Sequence, residues 1–271
     1  SLIARTKILK QDIQKLENKL SEIKELLNLY QSSKRKYFVP NISNIEHWYD
    51  KKTIRKLSKI KYLLDNIEEP YMKDFFNVIF SICCRKFSYS DPRISVPVKI
   101  NEHRFPEGHS LREAANKHIR FIKLNNVFEF FIDQANKNIA RLKSYQNATM
   151  FNNNEIVIYN SDIKEIDDNL IKDGSVQLIL TSPPYVSAQK YIRASSLSLQ
   201  WLGLNNNSLS SLDKKSIGRE YFSPNEYKQF YKTGFKTIDT ILLKIFEKNK
   251  LRAYITYTYL IEMQKMFQKS F

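Results

Sequence analysis

Two kinds of hydrophobic spacing divide the chain of 271 residues. In the first half, apolar residues recur every three or four positions, from Leu9 to Tyr30, from Ile45 to Leu64 and from Ser110 to about Tyr145, which is typical of amphipathic helices. The stretch from Tyr71 to Phe87 is so rich in phenylalanine and isoleucine that most of its helical surface must be buried. This pattern predicts a helical region over residues 1–150.

The N-terminal stretch has the narrowest apolar face. Its apolar residues alternate spacings of four and three, a 3.5-residue repeat that requires a partner helix. Packing within the chain is favoured over a coiled coil between chains.

Shorter apolar runs characterise the second half. Residues 155–159, Val176 to Leu180 and Leu251 to Tyr257 have the composition of buried strands, and an amphipathic helix is predicted over residues 225–248. The pattern therefore predicts two domains, a helical region over residues 1–150 and an α/β region over residues 151–271.

The strand predicted at Val176 to Leu180 runs directly into Thr181-Ser182-Pro183-Pro184-Tyr185. Each proline fixes its own φ and keeps the preceding residue out of the helical region, so this stretch is a stiff bend with free carbonyl groups. A hydroxyl, free carbonyls and an aromatic ring together suit a planar group with an exocyclic amine. The alternative is a proline-stiffened strand end whose tyrosine packs in the interior.

The stretch from Thr181 to Tyr185 resembles the catalytic (D/N/S)PPY motif of amino-group DNA methyltransferases. The resemblance continues through residues 197–203 and 217–220. It implies transfer of a methyl group from S-adenosyl-L-methionine to DNA in a restriction-modification-type role, and the serine form favours cytosine N4 over adenine N6. Some RNA and protein-glutamine methyltransferases carry a similar motif and remain alternatives. The residues assigned as catalytic are Ser182, Pro183, Pro184 and Tyr185.

The same resemblance implies an α/β fold, a partial Rossmann-like methyltransferase sheet with a large N-terminal helical region. It assigns Asp162 and Thr181 to the cofactor, with the Asp162 carboxylate accepting from the adenine amine. The alternative for Asp162 is the N-cap of a following helix. The residues expected to contact DNA are Arg93, Lys99, Arg104, Tyr191 and Arg193. For the first three, a solvated loop is an equal alternative from the sequence alone.

The sequence lacks the glycine-rich loop that holds the cofactor in this family. Its 5 glycines are isolated. Leu2 to Lys7 resembles the segment that follows this loop in the family, which favours a missing upstream sequence. There are two alternatives. A partner chain supplies the loop, or the chain is a non-catalytic DNA-binding or assembly module derived from a methylase. The unpaired edge of an incomplete sheet also makes a homodimer plausible.

Composition narrows the function classes. Lys and Arg number 44 against 28 Asp and Glu, a net charge of +16 that favours a polyanion such as DNA. The adjacent Cys83 and Cys84 form no disulfide framework, and no apolar run is long enough to span a membrane, so a cytoplasmic protein is expected. The histidines lack the spacing of metal ligands, and no metal site is predicted.

Overall fold

A computed structural model describes residues 2–8, 11–30, 37–148, 156–167, 169–186, 190–204 and 208–270. The chain forms two compact units. The first comprises Ser1–Ile158 and Ala194–Asn206, and the second comprises Tyr159–Arg193 and Asn207–Phe271. These units are defined by their internal contacts and not by independent folding. The predicted domain boundary at residue 150 therefore stays a prediction.

The described elements are helices and short turns. The chain first forms α1 (Leu2–Ile8), α2 (Ile13–Leu29), α3 (Ile45–Trp48), α4 (Lys51–Asp65), α5 (Pro70–Lys86), α6 (Ser110–Leu124) and α7 (Val127–Ala148), with a 3₁₀ turn at Glu102–Arg104. It continues with a 3₁₀ turn at Ile163–Glu165 and with α8 (Tyr191–Ala194), α9 (Ser196–Leu202), α10 (Leu209–Lys214), α11 (Lys236–Lys248) and α12 (Lys250–Ser270).

Side-chain caps fix where the helices of the first unit begin. The carboxylate of Asp12 accepts from the backbone N–H of Lys15 at the start of α2, and Asp50 does the same for Thr53 in α4. Glu69 caps α5, which begins with Pro70, a residue that suits the first helical position because its missing N–H would have no partner there.

The core of the first unit is helix packed on helix. The apolar face of α2 is buried against α7, so the 3.5-residue repeat finds its partner within the chain. Helix α5 contacts α1, α4, α7 and α9, which explains its apolar residues on several faces. Cys83 and Cys84 on α5 are free and buried, and burial raises the pKa of both thiols.

Helix α9 belongs to this core although it follows the Thr181 to Tyr185 bend in sequence. The indole of Trp201 is fully buried, and its ring meets those of Tyr49 and Phe80 edge to face at 5.9 and 6.1 Å. The Ser198 hydroxyl donates a hydrogen bond to the Ser81 carbonyl of α5 at 3.1 Å. These contacts tie a late segment of the chain to the first unit.

The predicted α/β fold with a partial Rossmann-like sheet is wrong. In the part of the chain that the structure describes, an isolated antiparallel bridge between Ser90 and Lys99 is the only β pairing. Within the described ranges, the segment from Val176 to Leu180 has no neighbouring strand, and Leu180 is 93% exposed. Because a strand needs a neighbour to satisfy its backbone groups, apolar composition alone does not make one here.

The predicted strand at Leu251 to Tyr257 is also wrong, because these residues lie in α12. In the second unit α12 packs on α11 and buries Ala253 and Ile255. Its Glu262 forms an ion pair of 3.6 Å with Lys164 of the 3₁₀ turn. None of the described helices has the length and apolar character needed to cross a lipid bilayer.

Candidate functional site

The bend from Thr181 to Tyr185 lies at the surface of the second unit. Thr181, Ser182 and Pro183 are exposed, Pro184 is half-buried, and the ring side of the motif is open because Tyr185 is 62% exposed. The backbone is non-helical through both prolines, as expected from their fixed φ angles. The structure therefore excludes the alternative in which this tyrosine is packed in the interior.

Two residues from later in the chain fix the second half of the bend. The Tyr259 hydroxyl on α12 donates a hydrogen bond of 3.0 Å to the Pro184 carbonyl. Gly218 is buried beside the Tyr185 carbonyl, and a Cβ atom at this glycine would lie 3.1 Å from that oxygen. Gly218 also has a φ of +79°, a conformation that glycine adopts without steric cost. The position therefore requires glycine for two reasons.

A cleft of the second unit contains two of the predicted DNA contacts, Tyr191 and Arg193. Lys190 forms an ion pair of 3.2 Å with Glu220 across this cleft. Gly218 lines the cleft as well as touching Tyr185, so the cleft and the bend are neighbours. The other lining residues are Ile192, Asp213, Ser216, Ile217, Arg219 and Tyr221.

Arg219 on the cleft wall is held by two interactions. Its guanidinium lies 4.0 Å above the ring of Phe222 and 3.3 Å from a carboxylate oxygen of Glu226. The backbone N–H of Ser223, which donates to the other Glu226 oxygen at 2.6 Å, lowers the pKa of Glu226. The carboxylate thus stays ionised beside the guanidinium, and Arg219 keeps a fixed orientation.

Asp162 lies in the same unit as the N-cap of the 3₁₀ turn. One carboxylate oxygen accepts from the backbone N–H of Lys164 at 3.1 Å, and the other lies 3.5 Å from the Lys164 ammonium. The capping alternative is therefore present. Both oxygens keep unused lone pairs, since each has two, so a role toward a cofactor stays a prediction.

The other predicted DNA contacts, Arg93, Lys99 and Arg104, line one cavity of about 280 Å³ in the first unit. The Arg93 guanidinium donates to the Asp91 carboxylate at 2.8 and 2.5 Å and to the Leu111 carbonyl at 3.0 Å. No described carboxylate forms an ion pair with Lys99 or Arg104. Asp91 thus neutralises the charge of Arg93, whereas the charges of Lys99 and Arg104 remain available to a ligand of the cavity.

Sequence reasoning missed Tyr259. The residues just before it were predicted as a strand, and one tyrosine among 16 carries no local signal for a contact 75 positions away. Gly218 had a signal, since it belongs to the segment 217–220 that extends the motif resemblance.

Comparison with known proteins finds one distant relative at significant similarity. The type II methyltransferase M.MvaI of Kocuria varians is 27% identical over 207 residues, which cover 72% of this chain and 42% of that protein. The chain thus spans less than half the length of this relative. No family model and no solved structure matches this chain. The similarity supports a relationship to methyltransferases in general.

Proposed function

We propose that this chain is part of an S-adenosyl-L-methionine-dependent DNA methyltransferase that methylates an exocyclic amine, with cytosine N4 favoured over adenine N6. The observation that carries the proposal is the open ring of Tyr185 on a stiff, surface-exposed bend. A base can lie flat against this ring only if it has been rotated out of the duplex, which is how enzymes reach an amine inside the base stack.

The bend would act mainly by alignment. The Ser182 hydroxyl and the Pro183 carbonyl would accept hydrogen bonds from the amine of the target base, while Tyr185 would stack on its ring. The Pro184 carbonyl already accepts from Tyr259, which fixes the direction of the neighbouring acceptors. An amine oriented in this way presents its nitrogen lone pair in one direction, and such orientation can supply much of the rate enhancement.

Binding of S-adenosyl-L-methionine would require more residues than the bend and Asp162 provide. Asp162 and Thr181 are exposed acceptors that would contact the cofactor. The isolated glycines of the sequence offer no loop whose backbone can approach it. We therefore propose that another segment or a partner chain supplies the loop.

Charge supports DNA as the substrate. The net charge of +16 attracts a polyanion, and Lys99 and Arg104 line a surface cavity without an ion-pair partner in the described residues. Tyr191 and Arg193 would contact DNA next to the base-binding bend, because their cleft adjoins it through Gly218. The type II methyltransferase relative agrees with this substrate class.

A non-catalytic DNA-binding or assembly module is the second candidate. It is favoured by the missing glycine-rich loop and by the local engagement of Asp162 with Lys164. Such a module would bind duplex DNA and would neither bind the methyl donor nor transfer a methyl group.

Tritiated methyl transfer tests the proposal. The chain is assayed alone and together with the sequence that adjoins it in its gene, with duplex DNA, RNA and protein as separate acceptors. We expect label in DNA only, loss of at least about a hundredfold in rate for Tyr185→Ala, and partial retention for Tyr185→Phe, whose ring still stacks.

Two results would contradict it. DNA binding without calorimetric binding of S-adenosyl-L-methionine in either form would favour the module. Label in RNA or protein alone would exclude DNA as the acceptor.

A further inference from the structure

A second basic cavity of about 370 Å³ lies in the first unit, next to the cavity of Lys99 and Arg104. Its lining consists of Ser81, Ile82, Arg85, Lys86, Pro92 and His118. Half of these residues are basic and none is acidic. A concave site with this composition favours an anion.

Arg85 is fixed in this cavity by one of its two terminal nitrogens. Its Nη2 donates to the carbonyls of Asp91 and Ile94 at 3.3 and 2.5 Å. Its Nη1 is buried and has no hydrogen-bond partner among the described residues. A buried donor without an acceptor is destabilising, and more so when it is charged, so an anionic acceptor within reach of Nη1 would be favoured.

His118 contributes a titratable donor to the same cavity. Its Nε2 lies 3.1 Å from the Ser88 carbonyl, and because a carbonyl can only accept, Nε2 carries the proton. Nδ1 is therefore the atom that gains a proton when the ring becomes charged. Burial lowers the pKa of His118, and the charges of Lys86 and Arg85 lower it further, whereas the hydrogen bond to Ser88 and the charge of Asp91 raise it.

Lys86 supplies the second permanent positive charge of the cavity. Its ammonium lies 4.7 Å from the centre of the Phe121 ring, a cation–π contact that leaves its charge uncompensated. No carboxylate of the described residues forms an ion pair with Lys86 or with Arg85. The cavity thus has two permanent positive charges, those of Arg85 and Lys86, and one titratable donor, His118.

We propose that this cavity is a binding site for a phosphate group, with Arg85, Lys86 and His118 as its ligands. The net charge of +16 favours a backbone phosphate of nucleic acid over free phosphate. The phosphate site depends only on the residues of this cavity. The assignment of the phosphate to a DNA backbone rests on the proposed function.

The test is an NMR titration of the histidine rings in the full chain, first in chloride and then with inorganic phosphate at matched ionic strength. A bound phosphate stabilises the imidazolium, so we expect the pKa of His118 to rise by about one unit. His47 on α3 is the internal control, because it lines neither this cavity nor the cavity of Lys99 and Arg104. An unchanged pKa of His118 would overturn the site.

Variants separate the cavity from general charge. Lys86→Gln should weaken phosphate binding about tenfold, whereas Lys117→Gln, an exposed position on α6, should leave it unchanged. Arg85→Gln removes the bonds to Asp91 and Ile94 and can fail to fold, which is why Lys86 is the primary variant. Equal effects of the two lysine substitutions would contradict the assignment.

A short duplex oligonucleotide then identifies the source of the phosphate. A rise in the pKa of His118 with both ligands supports a DNA phosphate. A rise with inorganic phosphate alone supports the site and overturns its assignment to DNA. A rise with neither overturns the site, whatever the methyl transfer assay yields.

Discussion

The Tyr259 hydroxyl and the Pro184 carbonyl are joined by a hydrogen bond of 3.0 Å across 75 positions of sequence. The bond links α12 to the bend and occupies the carbonyl of the second proline. Under the proposed function, the Pro183 carbonyl and the Ser182 hydroxyl are the acceptors for the base. Tyr259 thus ties the bend to α12.

Tyr259→Phe removes this hydrogen bond and keeps the ring. We expect the free energy of unfolding to fall by about 1 kcal/mol, the usual net value of one hydrogen bond, as measured by urea denaturation. Amide hydrogen exchange at Tyr185 should become faster. If the proposed function is correct, kcat for methyl transfer should fall more than KM changes, because alignment rather than affinity is lost.

Tyr257→Phe is the matched control. The Tyr257 ring stacks on Tyr231 at 5.3 Å, and the structure records no hydrogen bond from its hydroxyl among the described residues. Its stability should stay within about 0.5 kcal/mol of the parent. Equal effects at the two tyrosines would show that the bond to Pro184 has no special role.

Gly218→Ala should destabilise the second unit for two reasons, backbone strain and a steric clash. Its φ of +79° disfavours alanine, and the new Cβ would lie 3.1 Å from the Tyr185 carbonyl. Gly234→Ala isolates the backbone term, since its φ is +91° and a Cβ there meets no atom within 4 Å. We expect losses of about 1 kcal/mol at Gly234 and clearly more at Gly218, measured by thermal unfolding. Equal losses would contradict a close approach of Gly218 to the bend.

The helical half could be predicted from sequence because its information is local. Periodic leucines and isoleucines define the buried face of α2, and caps such as Asp12 mark where helices begin. Strand formation was not predictable in the same way. Val176 to Leu180 form an apolar run, but a strand also needs a neighbouring strand, which the local sequence does not reveal. Tyr259 was beyond reach for a similar reason, since its function depends on a distant contact.

Trp201→Ala should destabilise the first unit by about 3 to 5 kcal/mol, because the indole is fully buried against Tyr49 and Phe80. Leu204→Ala is the control, since Leu204 is 49% exposed just after the same helix. Denaturant unfolding followed by far-UV circular dichroism measures both. A small loss at Trp201 would show that α9 does not belong to the core of this unit.

Asp91→Asn should change the acid sensitivity of the first unit. Hydrogen bonds from the Arg93 side chain lower the pKa of Asp91, so the folded state binds fewer protons than the unfolded state. The stabilisation is fully present above the ordinary aspartate pKa of about 4 and is lost as the pH falls toward the lowered value. The loss of stability in the variant should therefore be large at neutral pH and shrink in acid, as measured by urea unfolding. A difference that is constant with pH would contradict the ion pair.

The basic residues of the Lys99 cavity should separate into two classes. Lys99 and Arg104 have no carboxylate partner in the described residues, whereas the Arg93 guanidinium is bound to Asp91 and Leu111. Under the proposed function, Lys99→Gln and Arg104→Gln should each lower the affinity for duplex DNA and reduce the slope of log K against log salt by about one. Arg93→Gln should instead lower stability and leave that slope nearly unchanged.

Fluorescence anisotropy of a labelled duplex across a salt series measures these slopes, with Lys137→Gln as the control. Lys137 is an exposed lysine on α7 that pairs with Asp133 at 2.7 Å, so removing it should not release counterions from DNA. If all four variants change the slope equally, the charge of the whole chain, rather than this cavity, governs binding. If Arg93→Gln alone reduces the slope, the ion pair with Asp91 must open on DNA, and the structural role assigned to Arg93 is wrong.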